Sequence, residues 1–203
     1  MKRVLALAPH PDDMEIGCAG TLAAYAARGA EIHLFVATAG DVGGDADVRM
    51  REQEASAKLL GIRRVFWGGF PDTHLPDHAN ALLARLEEVM REVDPDLVLV
   101  NHCLDTHQDH RTMGEVANSV TRYVPNVLAY ETPSSESFQP TVFMDIQDTL
   151  ELKLKALEAH ASQIDQTHVR LSIVDIALAT AHFRGVQGKL SCAEAFMPVR
   201  IRL

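Results

Sequence analysis

The stretch Val4-Leu5-Ala6-Leu7-Ala8-Pro9-His10-Pro11-Asp12-Asp13-Met14-Glu15 decides how the rest of the chain is read. Val4–Ala8 is an apolar run of strand length, and the two prolines after it mark a tight turn. A helical stretch follows through about Arg28, and Gly29 ends it in the way C-terminal glycines do. A strand that turns straight into a helix opens an α/β unit. The apolar run is too short for the h-region of a signal peptide and leads to no small-residue cleavage site, so no targeting segment is expected.

The same alternation continues outward from this unit. Ile32–Ala37 reads as a second strand, and about Arg49–Leu60 as a helix stopped by Gly61. Val65–Trp67 is a third strand, Ala81–Val93 a helix, and Leu97–Val100 a fourth strand after Asp94-Pro95-Asp96. A helix from about His110 to Tyr123 and a strand around Val127–Tyr130 complete the series. The pattern predicts an α/β fold: a single Rossmann-like, mainly parallel sheet flanked by helices, with strand order about 3-2-1-4-5. The last third breaks the rhythm. Thr141–Ile146 reads as a strand, and about Thr149–Ala161 and Ile173–Phe183 as helices, while Ala193–Ile201 is a strand or an ordered arm. With no repeat, low-complexity tract or polar linker, one domain over residues 1–203 is expected.

Composition narrows the classes of function. The 203 residues are 47% hydrophobic and 23% charged, which suits a packed core rather than disorder. Net charge is -9 and no Lys/Arg-rich run exists, which argues against a nucleic-acid partner. No apolar stretch approaches the roughly 18 residues needed to span a bilayer, so no membrane association is expected. Cys18, Cys103 and Cys192 are odd in number and far apart, as reduced thiols in a cytoplasmic protein would be. A small molecule is the expected partner.

Two segments rich in histidine and aspartate fall at carboxyl ends of expected strands. One is His10–Glu15; the other is Asp105-Thr106-His107-Gln108-Asp109-His110, after the fourth strand. In the order 3-2-1-4-5, strands one and four are neighbours where the winding reverses, so the two loops are expected to meet. Imidazole and carboxylate donors suit Zn²⁺, which in catalytic sites keeps three protein ligands and an open position. His10 and Asp13 can reach one ion across the turn, and His110 can add a third donor, leaving Asp12 free to act as a base. Taken alone, Asp12 and Asp13 read equally well as helix N-cap residues.

These segments resemble the LmbE-like, or PIG-L, family of zinc-dependent de-N-acetylases. The resemblance lies in Ala8–Ala23 (APHPDDMEIGCAGTLA) and Asp105–Thr112 (DTHQDHRT), and extends weakly through RMREQEASAKLLGI, Tyr130-Glu131, His160–Gln163 and Ala193–Phe196. It implies zinc ligands at His10, Asp13 and His110, Asp12 as general base, and His107 steadying the oxyanion, preferably as imidazolium. It further implies an N-acetylglucosamine-type substrate, in the manner of the bacillithiol-pathway branch, and a homo-oligomer, trimeric or hexameric. Fe²⁺ is an alternative occupant, because the donors accept both ions. An amidase acting on a sugar-thiol conjugate, and a non-catalytic metal- or nucleotide-binding protein, are the competing readings.

Other positions admit two readings each. Arg51 contacts an anionic part of the substrate or pairs with Glu54 or Glu87 on a solvated helix face. Asp109 orients His107 or a metal-ligand imidazole, or caps the loop. Glu15 braces the metal loop or merely begins the helix, and Asp72 binds a sugar hydroxyl or forms a turn. His102 and Cys103 lie near the second segment but fit simple burial. His33, His160, His168 and His182 read as packing or surface histidines, and Cys18 as core. Gly40-Asp41-Val42-Gly43-Gly44 lacks the dinucleotide fingerprint and reads as a mobile loop at the site's rim.

Overall fold

Strand β1 (Arg3–Ala8) sits at the centre of the sheet because both of its faces are apolar. Val4, Ala6 and Ala8 point into one core cluster, Leu5 and Leu7 into another, and all five are fully buried. A strand of that kind needs helices on both sides of the sheet. It pairs in parallel with β2 (Glu31–Thr38) on one flank and β4 (Leu97–Asn101) on the other. β3 (Arg64–Phe70) adds to β2 and β5 (Asn126–Tyr130) adds to β4, again in parallel. The expected order 3-2-1-4-5 is therefore the body of the sheet. In the computed structural model, which describes residues 1–167 and 169–202, two further strands extend it. β7 (Ala193–Arg200) runs antiparallel to β5, and β6 (Val142–Asp145) antiparallel to β7, giving β3-β2-β1-β4-β5-β7-β6.

Helices α1 (Asp13–Ala27) and α5 (Leu150–Glu158) pack on one face, where Met14, Cys18, Leu22 and Ala156 meet β1 and β2. Helices α3 (Ala79–Val93) and α4 (Gln108–Val120) cover the other through Leu82, Leu86, Val89, Met113 and Ala117. The turns after β1 and β4 thus send their helices to opposite faces of adjacent strands, which opens a crevice between them. Gly17 lets α1 approach β5: a Cβ there would lie 2.0 Å from the ring of Tyr130, whose hydroxyl donates to Leu7 O at 2.8 Å.

Helix α2 (Ala46–Leu59) starts three residues before the expected Arg49, because the Asp45 side chain caps it by accepting from the Val48 amide at 2.9 Å. The last helix, α6 (Ile173–Gly188), starts at the expected Ile173 behind a Ser172–Asp175 capping box and outruns Phe183 until Lys189 closes it in the left-handed conformation. Among the described residues no helix is long and apolar enough to cross a membrane. The expectation for His168 falls outside the described residues.

Candidate active site

The turn after β1 is built around Asp13. Its carboxylate accepts from the His10 amide at 2.9 Å and lies 3.1 Å from His10 Nδ1, closing the turn on itself. Asp12, at the N-cap of α1, takes a left-handed conformation (φ 87°) that costs a non-glycine residue on the order of 1–3 kcal/mol. Its side chain makes no cap bond, so the carboxylate is not spent on the helix end. The turn after β4 is built around Asp105, whose carboxylate accepts from the His107 amide at 2.8 Å and reaches His110 Nδ1 at 3.2 Å. The two turns meet where His110 Nε2 approaches Asp13 Oδ1 at 3.3 Å. Donor nitrogens of His10, His107 and His110 lie within 4.8 Å of one another, as do donor atoms of His10, Asp72 and Asp109.

The outer contacts of each imidazole decide its part. His10 Nε2 faces Asp72 Oδ1 at 3.1 Å and Asp109 Oδ2 at 3.2 Å, so that nitrogen carries the proton and Nδ1 turns to Asp13. His110 is wired alike, with Nδ1 on Asp105 and Nε2 toward Asp13. Carboxylates behind imidazoles in this way fix the ring's orientation and leave the other nitrogen for a metal once it gives up its proton. His107 is wired in reverse. As N-cap of α4, its Nδ1 accepts the Asp109 amide at 3.2 Å, leaving Nε2 to carry the proton toward the cavity. Accepting at Nδ1, the ring is neutral here with its N–H at Nε2, and it stands beside His10 and His110 in the first donor group. The second donor group relies on a His10 nitrogen already protonated for two carboxylates, and reads as support for that ring.

Ionisation follows this wiring. Burial alone would lower the pKa of His10 and His110, yet contacts with Asp109, Asp13 and Asp72 hold His10 well above 6.5, and Asp13 and Asp105 bring His110 to about 9. Burial works against ionised Asp13, but the positive rings of His110 and His10 keep it well below the usual carboxylate range. Two imidazolium protons flanking one carboxylate stand where a divalent ion would place its charge, so the donor set fits such an ion chemically. Asp12 goes the other way: burial and then the Asp13 charge raise it from 3.8 to about 6, against the pull of Arg49. Burial lowers His107, and the charges on His10 and His110 lower it further.

An open cavity of about 260 Å³ lies over these groups, lined by His10, Asp12, Val42, Gly43, Arg49, Asp72, Thr73 and His107. The Gly40–Gly44 loop forms its rim, and the Val42 amide donates to Asp72 Oδ2 at 2.9 Å. A larger hollow of about 370 Å³ lies at the far end of α1, beside Arg28 and Asp148, away from this chemistry.

Arg51 is exposed and lines no part of the cavity. The arginine at the site is Arg49, two residues earlier and about 200° round the helix. It is buried, and donates to Gly40 O at 2.7 Å, Pro11 O at 2.9 Å and the Asp12 carboxylate at 3.3 Å. Gly40 must be glycine, since it holds φ +69° and a Cβ would lie 2.1 Å from that guanidinium. Asp109 supports His10 and also accepts the Thr73 and Leu75 amides. Glu15 is fully buried and accepts from Gln53 and Ser56. Of the two readings of His160 the structure shows the packing one: it is fully buried, 3.3 Å from the Glu15 carboxylate. His33 faces Glu31, while His102 is buried beside Phe138, and neither lines the cavity.

Residues 5–121 match the sequence profile of PIG-L, GlcNAc-PI de-N-acetylase. The uncharacterized deacetylase YaiS of Escherichia coli is 34% identical over 169 residues, covering 79% of this chain and 91% of its own length. The solved N,N'-diacetylchitobiose deacetylase of Pyrococcus horikoshii, complexed with an inhibitor, is 27% identical with a TM-score of 0.86, over 98% of this chain and 84% of that one. A 4-carboxy-2-hydroxymuconate hydratase from Pseudomonas putida, 24% identical, superposes with a TM-score of 0.86 over 100% and 98% of the two chains. That last likeness speaks for the fold alone, since one fold hosts unrelated chemistries.

Proposed function

The chain belongs to the PIG-L family, and from that premise we propose that it is a zinc-dependent hydrolase removing the N-acetyl group of an N-acetylglucosamine-type conjugate. The observation that carries this reading is the opposed wiring of the histidines. His10 and His110 each have a carboxylate behind the ring and turn their other nitrogen to Asp13, whereas His107 accepts at Nδ1 and keeps its N–H at Nε2.

His10, Asp13 and His110 would hold the ion. When bound, a divalent cation supplies Lewis acidity toward the amide carbonyl and makes water a stronger acid. Asp12, unpaired with the helix end and lining the cavity, takes the proton of the attacking water. The new C–O bond pushes charge onto the carbonyl oxygen, and the His107 Nε2–H donates to it. Removing one such donor typically costs about 10²–10³ in rate. When the C–N bond breaks, Asp12 returns its proton to the departing amine, so acetate and a free amine leave. The cavity's modest volume supports a substrate presenting a single amino-sugar unit, and its open mouth leaves the aglycone outside.

Acetate release from N-acetylglucosamine, its 1-O-malate conjugate and N,N'-diacetylchitobiose, with metal-free and zinc-loaded protein, tests the proposal. Zinc-restored release is expected, and reconstitution with Fe²⁺ compares the two ions. No release from any of the three by fully zinc-loaded protein moves the assignment to a more specialised acyl conjugate or to a non-catalytic role. Release rising with longer N-acyl chains moves the assignment to the amidase. Trimeric or hexameric assembly belongs to the same proposal, supported by Phe183 and Val186 standing exposed on α6, and sedimentation tests it.

A further inference from the structure

Helix α2 buries a polar stripe. Arg49, Gln53 and Ser56 are spaced i, i+4 and i+7, hence on one face, and are 6%, 0% and 0% exposed. Polar groups so placed are costly without partners, and most of theirs lie in the turn that carries Asp12 or at Glu15 just after it. Arg49 donates to Pro11 O at 2.9 Å, while Gln53 Oε1 accepts the Asp12 N–H at 3.4 Å. The carbonyl of Pro11 and the amide of Asp12 belong to one peptide plane. Two side chains four residues apart therefore grip that peptide at both of its polar ends.

The Gln53 amide can face only one way. Its Oε1 must meet the Asp12 N–H, and its Nε2 then donates to Glu15 Oε1 at 2.6 Å, an atom that also accepts Ser56 Oγ–H at 2.5 Å. Fully buried Glu15, with His160 beside it, thus fixes the glutamine that fixes the peptide. Rotation of the Pro11–Asp12 peptide is the motion that would take Asp12 out of its left-handed conformation, and both grips oppose it.

We infer that Gln53, anchored by Glu15 and paired with Arg49, is a positioning residue: it clamps the Pro11–Asp12 peptide so that the Asp12 carboxylate stays over the cavity. The inference rests on Asp12 being the base in the reaction proposed above. Gln53 touches neither metal ligands nor the cavity, so its effect runs wholly through Asp12.

Gln53→Glu is the direct test, since it keeps size and shape but sets an acceptor against the Glu15 carboxylate. Displacing a reacting group by about 1 Å costs up to about 10²-fold, so kcat is expected to fall about 10–100-fold, with KM within about twofold and zinc content unchanged. Adding Glu15→Gln exchanges donor and acceptor, and most of the rate should return. If Gln53→Glu does not fold, Gln53→Met, which offers neither donor nor acceptor, takes its place. In a crystal structure of the zinc-loaded variant, Asp12 should have left the left-handed region while His10, Asp13 and His110 stay in place. Asp12 remaining left-handed overturns the clamp whatever the rate, and so does a rate loss that tracks zinc loss. Failure of the wild type to release acetate would remove the deacetylase reading, yet the Asp12 backbone in the variant would still decide the clamp.

Discussion

Two clusters of buried charge lie along helix α1, and they are built on opposite principles. In the middle of the helix, Lys153 Nζ donates to Glu194 at 2.6 Å and to Ile16 O at 2.7 Å, while Glu194 accepts the Gly20 and Thr21 amides at 2.9 and 2.7 Å. Ile16 O and Gly20 N are the two ends of one rung of the helix ladder, so a single ion pair straddles the rung from outside. One cation meets one anion, and both are almost wholly buried. At the N-terminus of the same helix, the carboxylates of Asp12, Asp13, Asp72, Asp105 and Asp109 crowd around His10, His110 and Arg49 with a cavity above them. The first cluster is closed and neutral. The second keeps acid in excess, open to a ligand, and holds Asp12 near the middle of the pH range, as reacting groups are held. The contrast separates charge that ties elements together from charge left open to a ligand.

Asp12→Asn breaks the contrast hardest. Turnover is expected to fall about 10²–10⁴-fold with zinc still bound one per chain. Because the Asp13 charge opposes ionised Asp12, the melting temperature should hold or rise. Steady-state kinetics, metal analysis and calorimetry check this together; full turnover in the variant would remove Asp12 from the mechanism.

The closed pair should respond in the other direction. Glu194→Gln keeps one acceptor oxygen for the Gly20 or Thr21 amide, sets an NH2 against the other and strands the buried Lys153 charge, a change that costs about 3–5 kcal/mol. Adding Lys153→Met removes the stranded charge, and most of the loss should return. Urea unfolding of the two variants measures both. If Glu194→Gln instead leaves stability intact and lowers kcat, the pair is tied to the chemistry and the contrast fails.

A pH series sharpens the comparison with a smaller effect. His110 stands at about 9 in the folded protein against 6.5 unfolded, so its proton favours the fold. That contribution is complete below pH 6.5, shrinks as pH rises and is gone above about 9. At full size it is on the order of 3 kcal/mol. Metal-free protein should therefore melt lower at pH 9 than at pH 6.5. Zinc must displace the same protons, so its affinity should climb over that window. A melting temperature of the metal-free protein that is flat from pH 6.5 to 9 would contradict the wiring of His110.

How much of this was legible in the sequence depended on how local each feature is. Strand, turn and helix follow one another through residues 4–29, and the alternation after them carries the order of the five parallel strands. The place of β7 between β5 and β6 was not readable, since Pro198 and inward Glu194 argue against an inner strand. Both are resolved only by tertiary context. Glu194 finds Lys153, 41 residues away, and Pro198 pairs beyond the reach of β6. The same limit applied to the site. His10, Asp13, His107 and His110 fall in two short segments at strand ends and were candidates at once. Asp72 behind His10, and the Arg49–Gln53–Ser56 stripe, come from other segments and reach the turn only through packing.

Arg51 shows how that limit produces an error, and it sets the smallest effect to measure. Strong helix formers ending at Gly61 identify α2, but a helix this polar has no apolar stripe to tell which side faces inward. The inward face carries Arg49, Gln53 and Ser56, so Arg51 faces water. Surface substitutions of this kind stay within about 0.5 kcal/mol, so Arg51→Ala should leave kcat/KM within about twofold and the melting temperature nearly unmoved. Arg49→Lys, by contrast, cannot serve Gly40 O, Pro11 O and Asp12 from one rigid fork, and should lose activity while still folding. Equal effects of the two variants on kcat/KM would mean that Arg51 reaches the substrate from outside the cavity and that the inward face is not the functional one.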